Sequence, residues 1–178
     1  GFFTTGDEAC PGNFGLWDQI AALRWVNQNI EAFGGNKNNI TLIGQSAGAV
    51  SVELLHLSPH STGLFHKMIA MAGSAEMKLF GSTSRKMPEN CRKKVARLGI
   101  TDYKNSNELL AKLRALPAEK FAVSVKVFKK DRDETNLFES IPYIDDSNFF
   151  PGSLDELRKK AIPKPLITGV TKEEGILF

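Results

Sequence analysis

One pentapeptide limits what this chain can become. Gly44-Gln45-Ser46-Ala47-Gly48 has the form G-x-S-x-G. It lies between an apolar run of strand length, Ile40-Thr41-Leu42-Ile43, and Ala49-Val50-Ser51-Val52-Glu53-Leu54-Leu55, whose apolar spacing is helical. A backbone that passes from strand to helix in so few residues must reverse sharply at the serine. Such a turn strains the serine, and side chains beside it clash where the helix packs back, so glycines at 44 and 48 are expected to relieve the crowding. The pattern predicts a nucleophile elbow, with Ser46 at the carboxyl edge of a sheet, where open α/β folds bind ligands. The N–H of Ala47 would point to where an oxyanion forms. A glycine-rich β–α turn in which Ser46 only caps the helix also fits the pentapeptide, but the flanking strand and helix favour the first reading.

The neighbouring segments supply more of an α/β frame. Gly1-Phe2-Phe3 reads as the end of a strand running into a polar loop through Gly12. Leu16, Ile20, Leu23, Val26 and Ile30 recur at three- and four-residue steps, which predicts a helix to about residue 31 with its apolar face on a sheet. Phe33-Gly34-Gly35-Asn36 stops it. The elbow helix ends at Leu57-Ser58-Pro59, and Lys67-Met68-Ile69-Ala70-Met71 gives another strand before Gly73. This β-α-β-α-β alternation argues for a mostly parallel sheet covered by helices, and three strands do not complete one.

Beyond residue 84 the sequence turns polar and helical over 86–98, 106–116 and 117–125, followed by a charged link from Lys129 to Thr135. The stretch 84–140 reads as a helical insertion above the sheet. A short helix is expected from Ser153 to Lys160. Pro165-Leu166-Ile167-Thr168-Gly169-Val170 reads as a returning core strand that ends at Thr171-Lys172-Glu173-Glu174-Gly175. With no repeat and no linker, residues 1–178 are read as part of a single domain.

Composition excludes several classes. The 178 residues are 42% hydrophobic, enough for a real core, and no apolar run approaches the roughly 18 residues of a membrane span. Net charge is +3, and the densest basic stretch, Arg85, Lys86, Arg92, Lys93, Lys94 and Arg97, is read as a solvated helix face, so no nucleic-acid partner is expected. A chain that opens Gly1-Phe2-Phe3 is expected to be cut from something longer. Cys10 and Cys91 are too few for a disulfide framework and are expected to be unpaired. Asn39-Ile40-Thr41 is a glycosylation sequon that ordinary turn chemistry explains equally well.

Together the elbow, Gly15-Leu16-Trp17-Asp18-Gln19, Ala22-Leu23-Arg24-Trp25-Val26, Phe33-Gly34-Gly35, Leu57-Ser58-Pro59, Gly73-Ser74, Pro142-Tyr143-Ile144-Asp145, Phe150-Pro151 and Gly169-Val170-Thr171-Lys172-Glu173-Glu174-Gly175 resemble the type B carboxylesterases, the group that includes cholinesterases. The likeness covers nearly the whole chain and is weakest from about 84 to 140. It implies a partial α/β-hydrolase fold and a Ser-Glu-His triad in that order, acting on small ester substrates without a cofactor. It also implies a secreted or endoplasmic reticulum lumen setting. Ser46 matches the nucleophile, and Ala47 matches one oxyanion donor, the others belonging to a glycine loop upstream of Gly1. Glu174 matches the acid, with Glu173 as the alternative. Gly34-Gly35 matches a separate turn and not the oxyanion loop.

The matching family histidine follows the acid, whereas His56, His60 and His66 all precede Glu174. His56 also stands ten residues along the elbow helix, roughly 15 Å from the serine. His60 and His66 are read as surface or capping residues, so the polypeptide alone is expected to be inert. Gln45 stands where many relatives of the resembled family carry glutamate, and Met77 lies in a region where cysteines are expected, which favours a general carboxylesterase over a cholinesterase. Leu79 and Phe138 fall near positions that line the acyl side in cholinesterases. Two other readings remain open: an adhesion protein on the same fold, although such relatives usually lose the serine, and a truncated product with no role of its own.

Overall fold

The computed structural model describes residues 1–76, 85–121 and 141–174. Within them run α1 (Phe14–Asn29), β1 (Thr41–Gln45), α2 (Ala47–Leu57), β2 (Lys67–Met71), α3 (Met87–Arg97), α4 (Ser106–Arg114), α5 (Leu154–Lys160) and β3 (Leu166–Gly169). Single 3-10 turns occupy Ile30–Phe33, Pro59–Ser61 and Ala118–Lys120. The sheet has the order β1-β2-β3 and both pairings are parallel, with Ile43 opposite Ile69 and Ile69 opposite Ile167. This is an α/β arrangement, and it matches the partial α/β-hydrolase fold that the resemblance implies.

Packing explains the layering. In α2, Ala49, Val50, Val52, Leu54, Leu55 and Leu57 are all buried, so this helix is apolar on more than one side and needs two covers. The strands β1 and β2 provide one, and α1 and α5 the other. The predicted stripe of α1 is buried at Leu16, Ile20 and Leu23 in one core cluster with Met68 of β2 and residues of α2, with Leu42 of β1 packed against it, and α1 also lies against the Pro59–Ser61 turn. Its start is fixed by Asn13, which is fully buried with φ 55°. The Asn13 amide donates to the Tyr143 carbonyl at 2.7 Å and to Asp146 Oδ2 at 3.0 Å, and its oxygen accepts from the Tyr143 N–H at 2.8 Å.

A second cluster joins Cys10, Val95, Leu109, Leu110 and Leu113, with Phe3 and Tyr103 packed on it. The expected helices at 86–98 and 106–116 are therefore present as α3 and α4. The segment expected over 117–125 begins as the Ala118–Lys120 turn, and residues 122–140, with the charged link and Phe138, lie outside the described residues. Gly1-Phe2-Phe3 is not a strand. Its polar groups are used elsewhere: the Gly1 carbonyl accepts from the Gly15 N–H at 2.8 Å, and the Thr4 N–H donates to Cys91 Sγ at 3.4 Å. Cys10 Sγ donates to the Phe3 carbonyl at 3.6 Å, so the two sulfurs grip one peptide from opposite sides and form no disulfide.

Candidate active site

Parallel strands bring their carboxyl ends to one edge, and that edge is laced together by the residues after the strands. The Ser46 N–H donates to the Met71 carbonyl at 2.8 Å, and the Ala72 N–H donates to the Gly169 carbonyl at 2.9 Å. Ser46 has φ 55° and ψ −118°, outside the comfortable regions for a side-chain-bearing residue, and Ala72 beside it has φ 52°. Two strained residues at one sheet edge are what a functional turn predicts. Ser46 is exposed, and its side chain makes no capping bond to α2, so the helix-cap reading of the pentapeptide is not what the structure shows.

The glycines explain how the turn closes. A Cβ on Gly44 would meet the Gly48 carbonyl oxygen at 2.2 Å and Ala49 N at 2.7 Å, both rigid backbone. Gly48 was expected to share this burden, yet a Cβ there meets nothing described within 4 Å; its carbonyl is what Gly44 must clear. The second required glycine is Gly73, where a Cβ would lie 2.3 Å from the Ser46 carbonyl oxygen and 3.2 Å from Ala49 Cβ. In the sequence Gly73 marks the end of a strand and, with Ser74, part of the family resemblance, and neither reading points to this close approach. Its signal was a glycine two residues past β2, a strand that pairs with the elbow strand.

Ala47 is exposed and is the first residue of α2. The leading N–H groups of a helix have no intrahelical acceptor and carry the positive end of its dipole, a suitable setting for developing negative charge. Glu174 follows β3 by five residues, so it is carried to the same carboxyl edge as Ser46, with β2 between their strands. At a strand spacing of about 4.8 Å, β1 and β3 lie about 10 Å apart. Glu174 Oε1 accepts from the Thr171 N–H at 3.2 Å, turning the half-buried carboxylate back over the strand end. Glu173 is exposed beside Lys172 at 3.9 Å. Of the two acids, Glu174 is half-buried and Glu173 exposed.

The three histidines gather elsewhere. His56 is in the last turn of α2, His60 in the Pro59–Ser61 turn, and His66 immediately precedes β2. All belong to the amino edge, one strand length away, roughly 15 Å. His60 Nε2 bonds to the Asn148 carbonyl at 2.8 Å and its ring lies 4.5 Å from that of Trp17. His66 Nδ1 accepts from the Ile40 N–H at 3.2 Å. Burial, helped by the charge of Lys164 and opposed by Glu53, holds the His56 imidazole below its ordinary value. None of the three reaches Ser46.

An apolar cavity of about 560 Å³ opens between Phe2, Phe3, α3 and α4, and neither Ser46 nor Glu174 lines it. Leu79 and Met77 lie outside the described residues. Among the described residues, no helix is long and apolar enough to cross a membrane.

A parallel sheet whose first strand runs straight into a strained serine fits the α/β-hydrolase class, to which the family match assigns the chain. The chain belongs to the carboxylesterase family, whose model matches residues 1–178. It is similar to esterase cest-33 of Caenorhabditis elegans, 42% identical over 178 residues, covering 100% of this chain and 31% of that protein. It is also similar to an acylcarnitine hydrolase of Rattus norvegicus, 41% identical over 177 residues, 98% of this chain and 29% of that protein. A cocaine esterase of Homo sapiens is 39% identical over 176 residues, again 98% and 29%. The chain thus spans less than a third of the length of these curated relatives.

Proposed function

We propose that the full-length protein is a serine hydrolase of carboxylic esters, acting through an acyl-enzyme on Ser46. The observation that carries this reading is the elbow itself: an exposed serine at φ 55° and ψ −118°, bonded through its backbone to β2 and not through its side chain to its own helix. Ser46 Oγ adds to the ester carbonyl carbon while an imidazole takes its proton. The Ala47 N–H donates to the oxygen that becomes negative, and the imidazole returns the proton to the departing alcohol. Water then repeats the sequence on the acyl-enzyme. Glu174 orients the imidazole and stabilises its charged form; the ~10 Å between β1 and β3 suits a ring placed between acid and nucleophile.

Since His56, His60 and His66 sit at the opposite edge, that imidazole comes from outside these 178 residues. The chain by itself is accordingly inert toward esters. The names of its relatives, an esterase, an acylcarnitine hydrolase and a cocaine esterase, share ester cleavage and differ in the ester, which supports a small ester as substrate. Gln45, exposed next to the serine, places no negative charge there, so neutral short-chain esters are preferred over choline esters.

Ser46→Ala in the full-length protein is expected to lower hydrolysis of a neutral aryl ester by about a thousandfold or more and to abolish labelling by a fluorophosphonate. Absence of labelling in the wild type would favour a partner-binding role on the same fold. Faster turnover of acetylcholine than of neutral esters would overturn the substrate assignment, and ester hydrolysis by the 178-residue chain that Ser46→Ala removes would overturn its inertness.

A further inference from the structure

The loop that buttresses Ser46 is held in turn by a carboxylate further along the elbow helix. Ala49 and Glu53, four residues apart, lie on one face of α2, whose first turn begins directly after Ser46. The segment after β2 runs along that face. Gly73 fits against the Ser46 carbonyl and Ala49 Cβ, and then two groups converge on a single oxygen of Glu53. Ser74 Oγ donates to Glu53 Oε2 at 2.9 Å, and the Ala75 N–H donates to the same atom at 2.7 Å. The Glu76 N–H donates to Ser74 Oγ at 3.1 Å, extending the arrangement by one residue. Ala75 is buried in the main core, so its N–H depends on the carboxylate in place of water. Hydrogen bonds to an ionised acceptor are short and about twice as strong as neutral ones.

We propose that Glu53 is a positioning residue for ester hydrolysis. Its carboxylate clips residues 74–75 to α2 and thereby presses Met71–Gly73 against the backbone of Ser46, keeping the nucleophile in its strained orientation. Glu53 does not touch the reacting atoms; it acts through the loop. A misplacement of about 1 Å at a reacting group can cost about a hundredfold in rate, so a clip two turns away along the helix has leverage on catalysis. The proposal rests on the reading of Ser46 as nucleophile.

The test compares full-length wild type, Glu53→Ala, Glu53→Gln and Ser74→Ala. Three quantities are read: kcat and KM on a neutral aryl ester, the rate of fluorophosphonate labelling at Ser46, and the thermal midpoint. Glu53→Ala is expected to lose about tenfold to a hundredfold in kcat and in labelling rate, with KM changed less than about threefold. Glu53→Gln, which keeps an acceptor oxygen in the same place, is expected to recover most of the loss. A folded Glu53→Ala with wild-type kcat overturns the proposal, as does a Glu53→Gln that falls as far as Glu53→Ala. Should Glu53→Ala fail to fold, Ser74→Ala carries the test, because it removes one donor and leaves the Ala75 N–H in place. A several-fold drop in its kcat at constant KM supports the clip, and wild-type kcat refutes it. If the wild type is not labelled at all, the nucleophile assignment falls and takes the clip with it; if the wild type is labelled and every variant matches it, the clip alone falls.

Discussion

The serine at the elbow holds a backbone conformation that it would not adopt alone, and two absent side chains let it do so. Gly44 must clear the Gly48 carbonyl, and Gly73 must clear the carbonyl of Ser46 itself. In neither place can a flexible side chain yield, because the nearest obstructing atoms belong to the backbone of the first turn of α2 and of the serine that precedes it. Gly73→Ala is therefore expected to destabilise the fold by about 1–3 kcal/mol and to lower kcat more than it raises KM, read by thermal melting and steady-state kinetics. Gly48→Ala, with open space where its Cβ would go, keeps the wild-type melting temperature. The pentapeptide was legible because its constraint is local: strand, turn and helix all fall within about fifteen residues. Gly73 was not, because its obstruction is an atom 27 positions earlier in the chain, seen only once β2 has paired with β1.

Elements followed the same rule. The helices α3, α4 and α5 appear where polar and apolar spacing placed them, and α5 begins with a capping box in which Ser153 and Glu156 exchange hydrogen bonds across the first turn. The core strand read over Pro165-Leu166-Ile167-Thr168-Gly169-Val170 is present as β3 over Leu166–Gly169, but its four residues are exposed rather than core in the described structure. Gly1-Phe2-Phe3 was misread since a strand is defined by a neighbour, and the groups that would pair there bond to α1 and Cys91 instead. At the far end of α2, burial and the nearby Lys164 disfavour the charged form of His56, whose Nδ1 is buried without a partner in the described structure. The unfolded chain then binds the proton more readily than the folded one. This contribution to stability is present above about pH 6.5 and is lost as pH falls below it through the lower folded value. His56→Gln is expected to flatten the dependence of urea-unfolding stability on pH in that acidic window, and an unchanged slope would refute the assignment.

At the scale of the molecule, the family relation accounts for the order of the elements, and backbone hydrogen bonds from Ser46 and Ala72 lace the carboxyl edge of the sheet together. The two faces of the sheet are treated differently. On one, Met68 and Ala70 are buried beneath α2; on the other, Ile43, Ile69 and Ile167 stand in a row across three strands, with Ile43 64% and Ile167 67% exposed. Parallel sheets ordinarily bury both faces. Three β-branched side chains side by side form a wet oily stripe, so this polypeptide, purified by itself, should light up a fluorescent dye such as anilinonaphthalene sulfonate and drift into oligomers as concentration rises. Replacing Ile43 and Ile167 by threonine should dim the dye and restore a single small species in light scattering.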